Sequence, residues 1–424
     1  MQKHVIIIGG GVIGRCTAYY AVRRGHRVTL LERNTPEHPG CSFGNAGFIT
    51  PSHFVPLAAP GMVALGLKWM LSPESPFYVK PRLRRDLLDW GWNFYRASNA
   101  GHVARSAPLL RDLNIASRSC FEEFAEISNN SFGLVKKGCL MLCSTEHRFE
   151  EEKGIIPKAR KLGLAAEALS PEDARKLEPN VNMNIVGAVH FLDDCYLAPE
   201  RYMSVLKHLL DENGVQCSWG TEVTGWKVNA DRIESVHTSM GDVSGDEYVV
   251  CGGSWTSQLT RKLNIHLPMQ AGKGYSLTLP RPRQLPHLSA ICTEARLAVT
   301  PMGGMLRFGG TMEIAGLDEN INPARVRGII KSAQRYYPDF TTEDFRGIEP
   351  WCGLRPLSPD GLPYLGRFAR YANLSVGTGH AMLGLSLGPI SGKLLSEVVS
   401  DAKPSFDVTL LDPDRYNHAG ANRR

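Results

Sequence analysis

The spacing of apolar positions along this chain changes period repeatedly. Residues 5–8 form a short unbroken apolar run, the pattern of a strand covered on both faces. Ile13, Cys16, Thr17, Tyr20 and Ala21 then recur at helical spacing, Gly25 offers a stop, and residues 28–31 are apolar again. Apolar residues three and four apart predict helices over 86–98 and 108–128, and residues 135–143 read as a strand. Residues 170–177 open with a serine and a proline suited to N-cap and first helical position. A helix is predicted over 199–213, ended by Gly214, then strands around 215–219 and 221–229. Residues 247–255 read as a buried strand entering a glycine turn, and 267–312 as several strands with proline-rich turns, notably 279–286. A helix over 323–337, a strand over 373–376, a turn at 377–379 and a helix over 389–399 complete the pattern.

There is no internal repeat or low-complexity tract. The α/β pattern stands at the start, middle and end, with a strand-rich and helical insert between. The expected fold class is therefore α/β with an α+β insert: a Rossmann-like, discontinuous cofactor domain and a second, mixed-sheet substrate domain. The expected division is 1–85, 190–262 and 345–424 for the first, and 86–189 and 263–344 for the second.

The first strand–helix–strand unit carries chemistry. Gly9, Gly11 and Gly14 stand in G-x-G-x-x-G spacing. The first allows a tight turn, the second lets backbone approach a pyrophosphate, and the third lets helix and strand pack closely. The helix N-terminus offers free N–H groups and partial positive charge. Glu32 ends the second strand where a carboxylate binds ribose hydroxyls. This unit predicts a dinucleotide site and does not separate FAD from NAD.

Composition adds boundaries. The 424 residues suffice for two domains, and 43% apolar with 21% charged is ordinary for a soluble globular protein. The formal charge of +6 is spread along the chain, a weak hint of an anionic partner. Ten cysteines lie without C-x-x-C spacing or a matching histidine pair, so neither a metal site nor a disulfide framework is expected, and reduced thiols suit a cytoplasmic setting. The first apolar run is the cofactor strand rather than a signal peptide. Residues 57–71 are the most apolar stretch but carry Pro60, two glycines and Lys68. They read as a helix over the protein's own core or, with Lys80, Arg82, Arg84, Arg85, Trp90 and Trp92 nearby, as a peripheral membrane contact.

Residues 351–366 are turn-rich yet hold an arginine, Arg355, in an apolar setting. A buried guanidinium needs an anion, either a substrate carboxylate gripped at two points or a structural partner such as Asp360. Residues 376–389 read as strand, glycine turn and helix, able to aim a helix N-terminus at negative charge. His53 and His380 are isolated histidines, for which hydrogen-bonded structural roles are the default. No Ser-His-Asp or Cys-His set is legible, and no basic, aromatic-interleaved tract points to nucleic acid.

Six segments, GGGVIG with LLER, SFGNAGFITPSHFVPLAAPG, QAGKGYSLTLP, RFGGTMEIAG, WCGLRPLSPDGLPYLG and VGTGHAMLGLSLGP, follow one another over nearly the whole chain. In this order they resemble the FAD-dependent D-amino acid dehydrogenase family, within the wider glycine oxidase and sarcosine oxidase group. The resemblance implies noncovalent FAD, because Cys352 does not align with the flavin-tethering cysteine of sarcosine-oxidase-type enzymes. It implies that Gly9, Gly11, Val12, Ile13 and Gly14 hold pyrophosphate, Glu32 with Arg33 the adenosine ribose, and Val223 the adenine. Ser42, Asn45, Ala46 and Gly47 would line the flavin ring, and Gly379, His380, Met382, Leu383 and Gly384 would pass over it. Arg355 stands where related oxidases hold the substrate carboxylate. Glycine oxidase places a tyrosine where residues 297–300 stand here; Tyr275 is the substitute, with His53 on the substrate side and His380 beside the reacting atoms.

The implied activity is oxidative deamination of a D-amino acid by hydride transfer to the flavin, giving an imino acid that hydrolyses to 2-oxo acid and ammonia. Electrons would pass to a quinone-type acceptor. The alternatives are a D-hydroxyproline dehydrogenase, a glycine or sarcosine-type oxidase, an NAD-dependent dehydrogenase and a non-catalytic flavoprotein.

Overall fold

A computed structural model describes residues 1–38, 40–70 and 74–417. Strand β1 (His4–Ile8), helix α1 (Val12–Arg23) and strand β2 (Arg27–Glu32) form the predicted opening unit, with His4–Ile8 in parallel register against residues 27–31. They belong to a six-stranded sheet ordered Tyr364–Arg367, Leu374–Thr378, Glu247–Val250, β1, β2, Gln216–Trp219. All neighbours in it are parallel except the outermost pair, Tyr364–Arg367 with Leu374–Thr378. Three regions far apart in sequence therefore build one sheet.

Helix α1 lies tightly on that sheet. A Cβ on Gly14 would stand 1.8 Å from the Gly9 carbonyl oxygen. On the other face of α1 the helix Gly388–Val399 approaches as closely, since a Cβ on Gly392 would meet the Cys16 backbone at 2.5 Å. The glycines are what allow three layers to stack at backbone distance.

The second body is a nine-stranded mixed sheet. Its path runs Trp351–Leu357, Gln270–Leu279, Met305–Ile314, Leu297–Met302, Ser289–Cys292, Cys139–Cys143, Gly187–Phe191, Ala166–Leu169, with Phe77–Val79 joining Met305–Ile314. The helix Pro323–Tyr336 covers it over Phe308, Tyr337 and Phe340. A short two-stranded piece pairs Phe48–Ile49 with Cys195–Tyr196.

Several boundaries differ from expectation. Trp351–Leu357 hydrogen-bonds to Gln270–Leu279, so the division at 345 cuts off an edge strand of the second body. The predicted helix at 108 begins earlier: it spans Ala100–Ile127 and passes through Pro108. Burial of Leu110, Phe121 and Phe124 against Tyr19 and Tyr202 outweighs the roughly 3 kcal/mol penalty of an interior proline. That packing places the helix on the first body, although its sequence lies in the expected substrate domain. The strand predicted from 135 is regular only over Cys139–Cys143, with Val135 making an isolated bridge to Tyr196. Within residues 57–71 the helix is Met62–Trp69, started by Gly61 at φ 83°, and Leu71 lies outside the described residues. None of its residues is fully buried, and Trp69 packs against Phe77. No helix among the described residues is long and apolar enough to cross a membrane.

Candidate active site and cofactor cradle

Two cavities meet between the bodies. The first, about 350 Å³, runs from Trp219 and Val223 past Gly9–Ile13, Glu32 and Arg33 to Ser42, Asn45, Thr378, His380 and Gly384. The second, about 570 Å³, is walled largely by aromatic and aliphatic side chains, among them Phe48, Trp90, Phe94, Tyr275 and Trp351. Cys41, Asn45 and Arg355 line both.

The first cavity is built by the opening unit. The Gly10 N–H donates to Glu32 Oε2 at 2.6 Å, and Asn34 donates to Glu32 Oε1 through its backbone at 2.9 Å and its side chain at 3.0 Å. The acid thus fixes the glycine turn as well as facing the cavity. Ser42 Oγ accepts from the Val12 N–H at 3.0 Å, which ties the 41–47 loop to the first turn of α1. Buried Arg15, which the sequence reading passed over, holds the Gly10 carbonyl at 2.8 Å and stacks 5.0 Å from the Trp219 ring. The Arg33 guanidinium lies 4.0 Å over Trp255, and both line the cavity.

The 41–47 loop is clamped from the second body. Arg307, from Met305–Ile314, donates to the Phe43 and Asn45 carbonyls at 3.1 and 2.8 Å and pairs with Glu200. Gly44 accommodates the Trp351 indole, which would lie 2.1 Å from a Cβ there. Of the residues expected around the flavin ring, Ser42 and Asn45 line the first cavity, whereas Ala46, Met382 and Leu383 line the second. Gly14, Gly47 and Gly379 line neither. At φ 80° and 77°, Gly47 and Gly379 hold turns against the Leu197 carbonyl and the Tyr364 ring.

Arg355 sits at the junction. A Cβ on Gly274 would stand 2.3 Å from its Nη2, so that glycine makes room for the guanidinium. Nη1 donates to the Thr311 carbonyl at 2.7 Å. Thr311 adopts φ 62°, a strained conformation for a β-branched residue, and so presents that carbonyl. Burial lowers the Arg355 pKa, and among the described residues no carboxylate stands against it. Asp360, the structural partner weighed for it, instead takes Arg415, with bonds of 2.7 and 3.0 Å. Arg355 is therefore a cation short of an anion, at the point where a ligand in one cavity meets a ligand in the other.

Tyr275 lines the second cavity, but its one hydroxyl proton goes to buried Glu313 at 2.6 Å, which leaves the oxygen only as an acceptor toward a ligand. Burial, followed by Glu313, raises its pKa and keeps it neutral. His380 Nε2 is 2.9 Å from Ser391 Oγ, and burial pushes the ring down to about 3. It is a neutral hydrogen-bonding group, not a charged acid. Its Nδ1 is buried beside the first cavity and has no protein partner among the described residues. His53 lines the second cavity; burial, with the Arg296 charge as second cause, pushes it down to about 4. No group of His, Cys, Asp or Glu among the described residues is placed to hold a metal ion.

An elongated cradle on a glycine turn, an orphaned imidazole nitrogen at its far end and an adjoining apolar cavity with a lone guanidinium fit a flavin dinucleotide with a substrate beside it. This is the arrangement of a flavoprotein oxidoreductase. A family model described as FAD dependent oxidoreductase (DAO) matches residues 4–398, and the chain belongs to that family. The nicotinamide reading of the opening unit is thereby set aside. The chain is 32% identical over 419 residues to a D-amino acid dehydrogenase of Granulibacter bethesdensis, covering 97% of this chain and 99% of the relative. It is 31% identical over 428 residues to one of Bradyrhizobium diazoefficiens, covering 98% and 99%. Glycine oxidase from Geobacillus kaustophilus has the same fold, with a TM-score of 0.78 at 23% identity over 98% of this chain and 99% of that one. An L-amino acid deaminase from Proteus vulgaris superposes with a TM-score of 0.73 at 14% identity, covering 98% and 94%.

Proposed function

We propose that this protein oxidises D-amino acids at the α-carbon. The observation that carries the reading is Arg355, a guanidinium with no acid partner among the described residues, at the junction of the two cavities. The names of the full-length relatives support amino acids of the D series as the substrate class.

Arg355 grips the substrate carboxylate in a planar two-point contact, while its bond to the Thr311 carbonyl keeps the guanidinium from turning away. When bound, FAD supplies at its N5 position the acceptor for the hydride leaving the α-carbon. The protein's task is orientation to ~3–3.5 Å, which needs few acid or base groups. Trp90, Phe94 and Trp351 keep water from the site during the transfer. Water then hydrolyses the imino acid to a 2-oxo acid and ammonia, while a cyclic substrate leaves a ring imine.

FAD is held without a covalent link, and a quinone-type acceptor takes the electrons. Leu67, Leu83, Leu88 and Trp92 are exposed among Lys68, Lys80, Arg84 and Arg85, a composition that suits peripheral docking on an anionic inner-membrane surface from the cytoplasmic side. Co-sedimentation with anionic but not neutral vesicles checks that part.

The substrate reading is tested by anaerobic bleaching of the FAD-loaded protein with D- and L-amino acids, glycine, sarcosine and hydroxyprolines. Bleaching by D-amino acids is expected, and Arg355→Leu should lower kcat/KM by about 10²–10³-fold while leaving FAD bound. Near-normal turnover in that variant, or no bleaching by any amine, refutes it. Readmitting oxygen separates an oxidase from a dehydrogenase.

A further inference from the structure

A hydrogen-bonded chain leads away from the wall of the second cavity into the protein. His53 lines the cavity, and its Nδ1 lies 3.2 Å from Ser52 Oγ. Ser52 Oγ donates to Asp194 Oδ2 at 2.5 Å, and the Ser52 N–H donates to Asp194 Oδ1 at 3.0 Å. The pairing of Ile49 with Cys195 brings these segments together, so the chain leaving Ile49 passes beside Asp194. Asp194 has no exposed surface, and no cation pairs with it among the described residues. A buried carboxylate with a hydroxyl, a backbone amide and no cation is an expensive arrangement to keep without a use.

The donor inventory fixes the direction of the chain. An ionised carboxylate only accepts, so the single Ser52 hydroxyl proton goes to Asp194. Ser52 Oγ can then only accept from His53, which puts the imidazole proton on Nδ1. Nε2 is left as a bare acceptor, and no protein group is bonded to it among the described residues.

We propose that His53, Ser52 and Asp194 form a relay that removes the ammonium proton of the bound substrate. This rests on the reading of the cavity as an amine-oxidising site. An amino acid enters mostly as its ammonium form, and hydride leaves the α-carbon only when the nitrogen lone pair is free to form C=N. In the relay a substrate N–H proton moves to His53 Nε2, the Nδ1 proton to Ser52 Oγ, and the hydroxyl proton to Asp194 Oδ2. One N–H bond breaks and one O–H bond forms on Asp194. The imidazole and the hydroxyl are neutral before and after, and the imidazole changes tautomer.

The relay explains why the imidazole is not the final acceptor. Burial and the Arg296 charge hold His53 at about 4, too weak a base to keep the proton. Burial raises Asp194 to about 7, with the neighbouring Asp193 charge acting in the same direction and Ser52 and Arg118 opposing it. The Cys139 and Cys195 thiols that also face Asp194 are themselves pushed up by burial and carry no charge. The proton thus ends on the one group of the chain suited to hold it near neutral pH.

The test is anaerobic flavin reduction by a D-amino acid that the wild-type holoenzyme turns over, followed from pH 6 to 10 in His53→Gln, Ser52→Ala and Asp194→Asn. Each variant should be slowed by about 10²-fold at pH 7. The deficit should close as pH rises toward the substrate ammonium's own pKa, because the amine then arrives already neutral. Binding of acetate, a carboxylate with no amine, should be unchanged in all three. Equal slowing at every pH, or no slowing in His53→Gln, overturns the relay while leaving the substrate reading intact. If no amino acid reduces the wild-type flavin, the substrate reading fails, and the relay with it.

Discussion

Substitution of Gly14 by alanine isolates what holds the cofactor cradle together. The added Cβ would stand 1.8 Å from the Gly9 carbonyl oxygen, where atoms of this kind need ~3 Å or more, so α1 must move out by roughly 1 Å. It has nowhere to go, because its outer face already meets the Gly388–Val399 helix at backbone distance through Gly392. Overpacking of this sort costs about 1–3 kcal/mol, offset by up to ~1 kcal/mol from the better helix propensity of alanine. Unfolding entropy of ~2.1 cal/mol/K per residue over the chain converts a net 2 kcal/mol into a Tm lower by only about 2 °C.

The effect on FAD should be much larger. Displacement of the first turn of α1 takes its N–H groups out of the ~2.7–3.2 Å window for a phosphate oxygen. Loss of one or two charge-assisted bonds at ~1.5–3 kcal/mol each weakens FAD binding by at least about 10-fold and as much as 10⁴-fold. The assay is fluorescence titration of the apoprotein with FAD, alongside thermal unfolding. Gly25→Ala is the control: its φ of 86° strains any side chain, but no neighbour lies within 4 Å of the new Cβ. It should lose ~1–2 kcal/mol and bind FAD normally. The reasoning is refuted if Gly14→Ala binds FAD as tightly as Gly25→Ala.

Two further outcomes concern buried charge. Arg415→Met strands the Asp360 carboxylate and should cost about 3–5 kcal/mol at pH 7 in urea unfolding. Burial alone would raise Asp360, but the Arg415 charge and bonds outweigh it and hold the carboxyl below its usual range. The contribution is therefore complete above the unfolded value of ~3.9 and fades as pH falls through the folded one, so the two proteins should converge only below about pH 4. His380 acts in the same sense but at higher pH: burial holds it at about 3 against ~6.5 unfolded, so stability falls as pH drops below 6.5. Between pH 7 and 5 this amounts to about 2 kcal/mol, and His380→Gln should flatten the pH dependence of unfolding of the FAD-free protein by that much.

The parts of this fold that could be read from the chain are those whose physics is local. Strand, glycine turn, helix and acid over residues 4–32 lie within one hydrogen-bonded unit, and every expected element of it is present. The cap at Ser170 and the stop at Gly214 depend on their immediate neighbours and are likewise found. The domain division failed where the deciding contact was distant. Nothing in residues 351–357 announces that they pair with residues 270–276, and nothing in the 100–127 helix says which body its aromatic face will meet.

The same distinction separates the site residues. Arg355 could be picked out because an arginine in an apolar stretch poses a local question, namely what neutralises it. The answer came from elsewhere: Arg415 takes the acid weighed as its partner, and Gly274 clears the space for its guanidinium. Tyr275 stands out by its position in a motif, but its hydroxyl proton goes to Glu313, a residue that only strand pairing brings near. His53, expected on the substrate side, depends on distant residues in the same way. Alone in sequence, a histidine defaults to a structural role. Its significance depends on Ser52, its neighbour, and on Asp194, which lies 142 positions beyond Ser52 and reaches it only because two residues of one loop pair with two of another. Proton-transfer chains need atoms in line, not residues in series, so the acid at the end of this one carries no mark in the sequence around it.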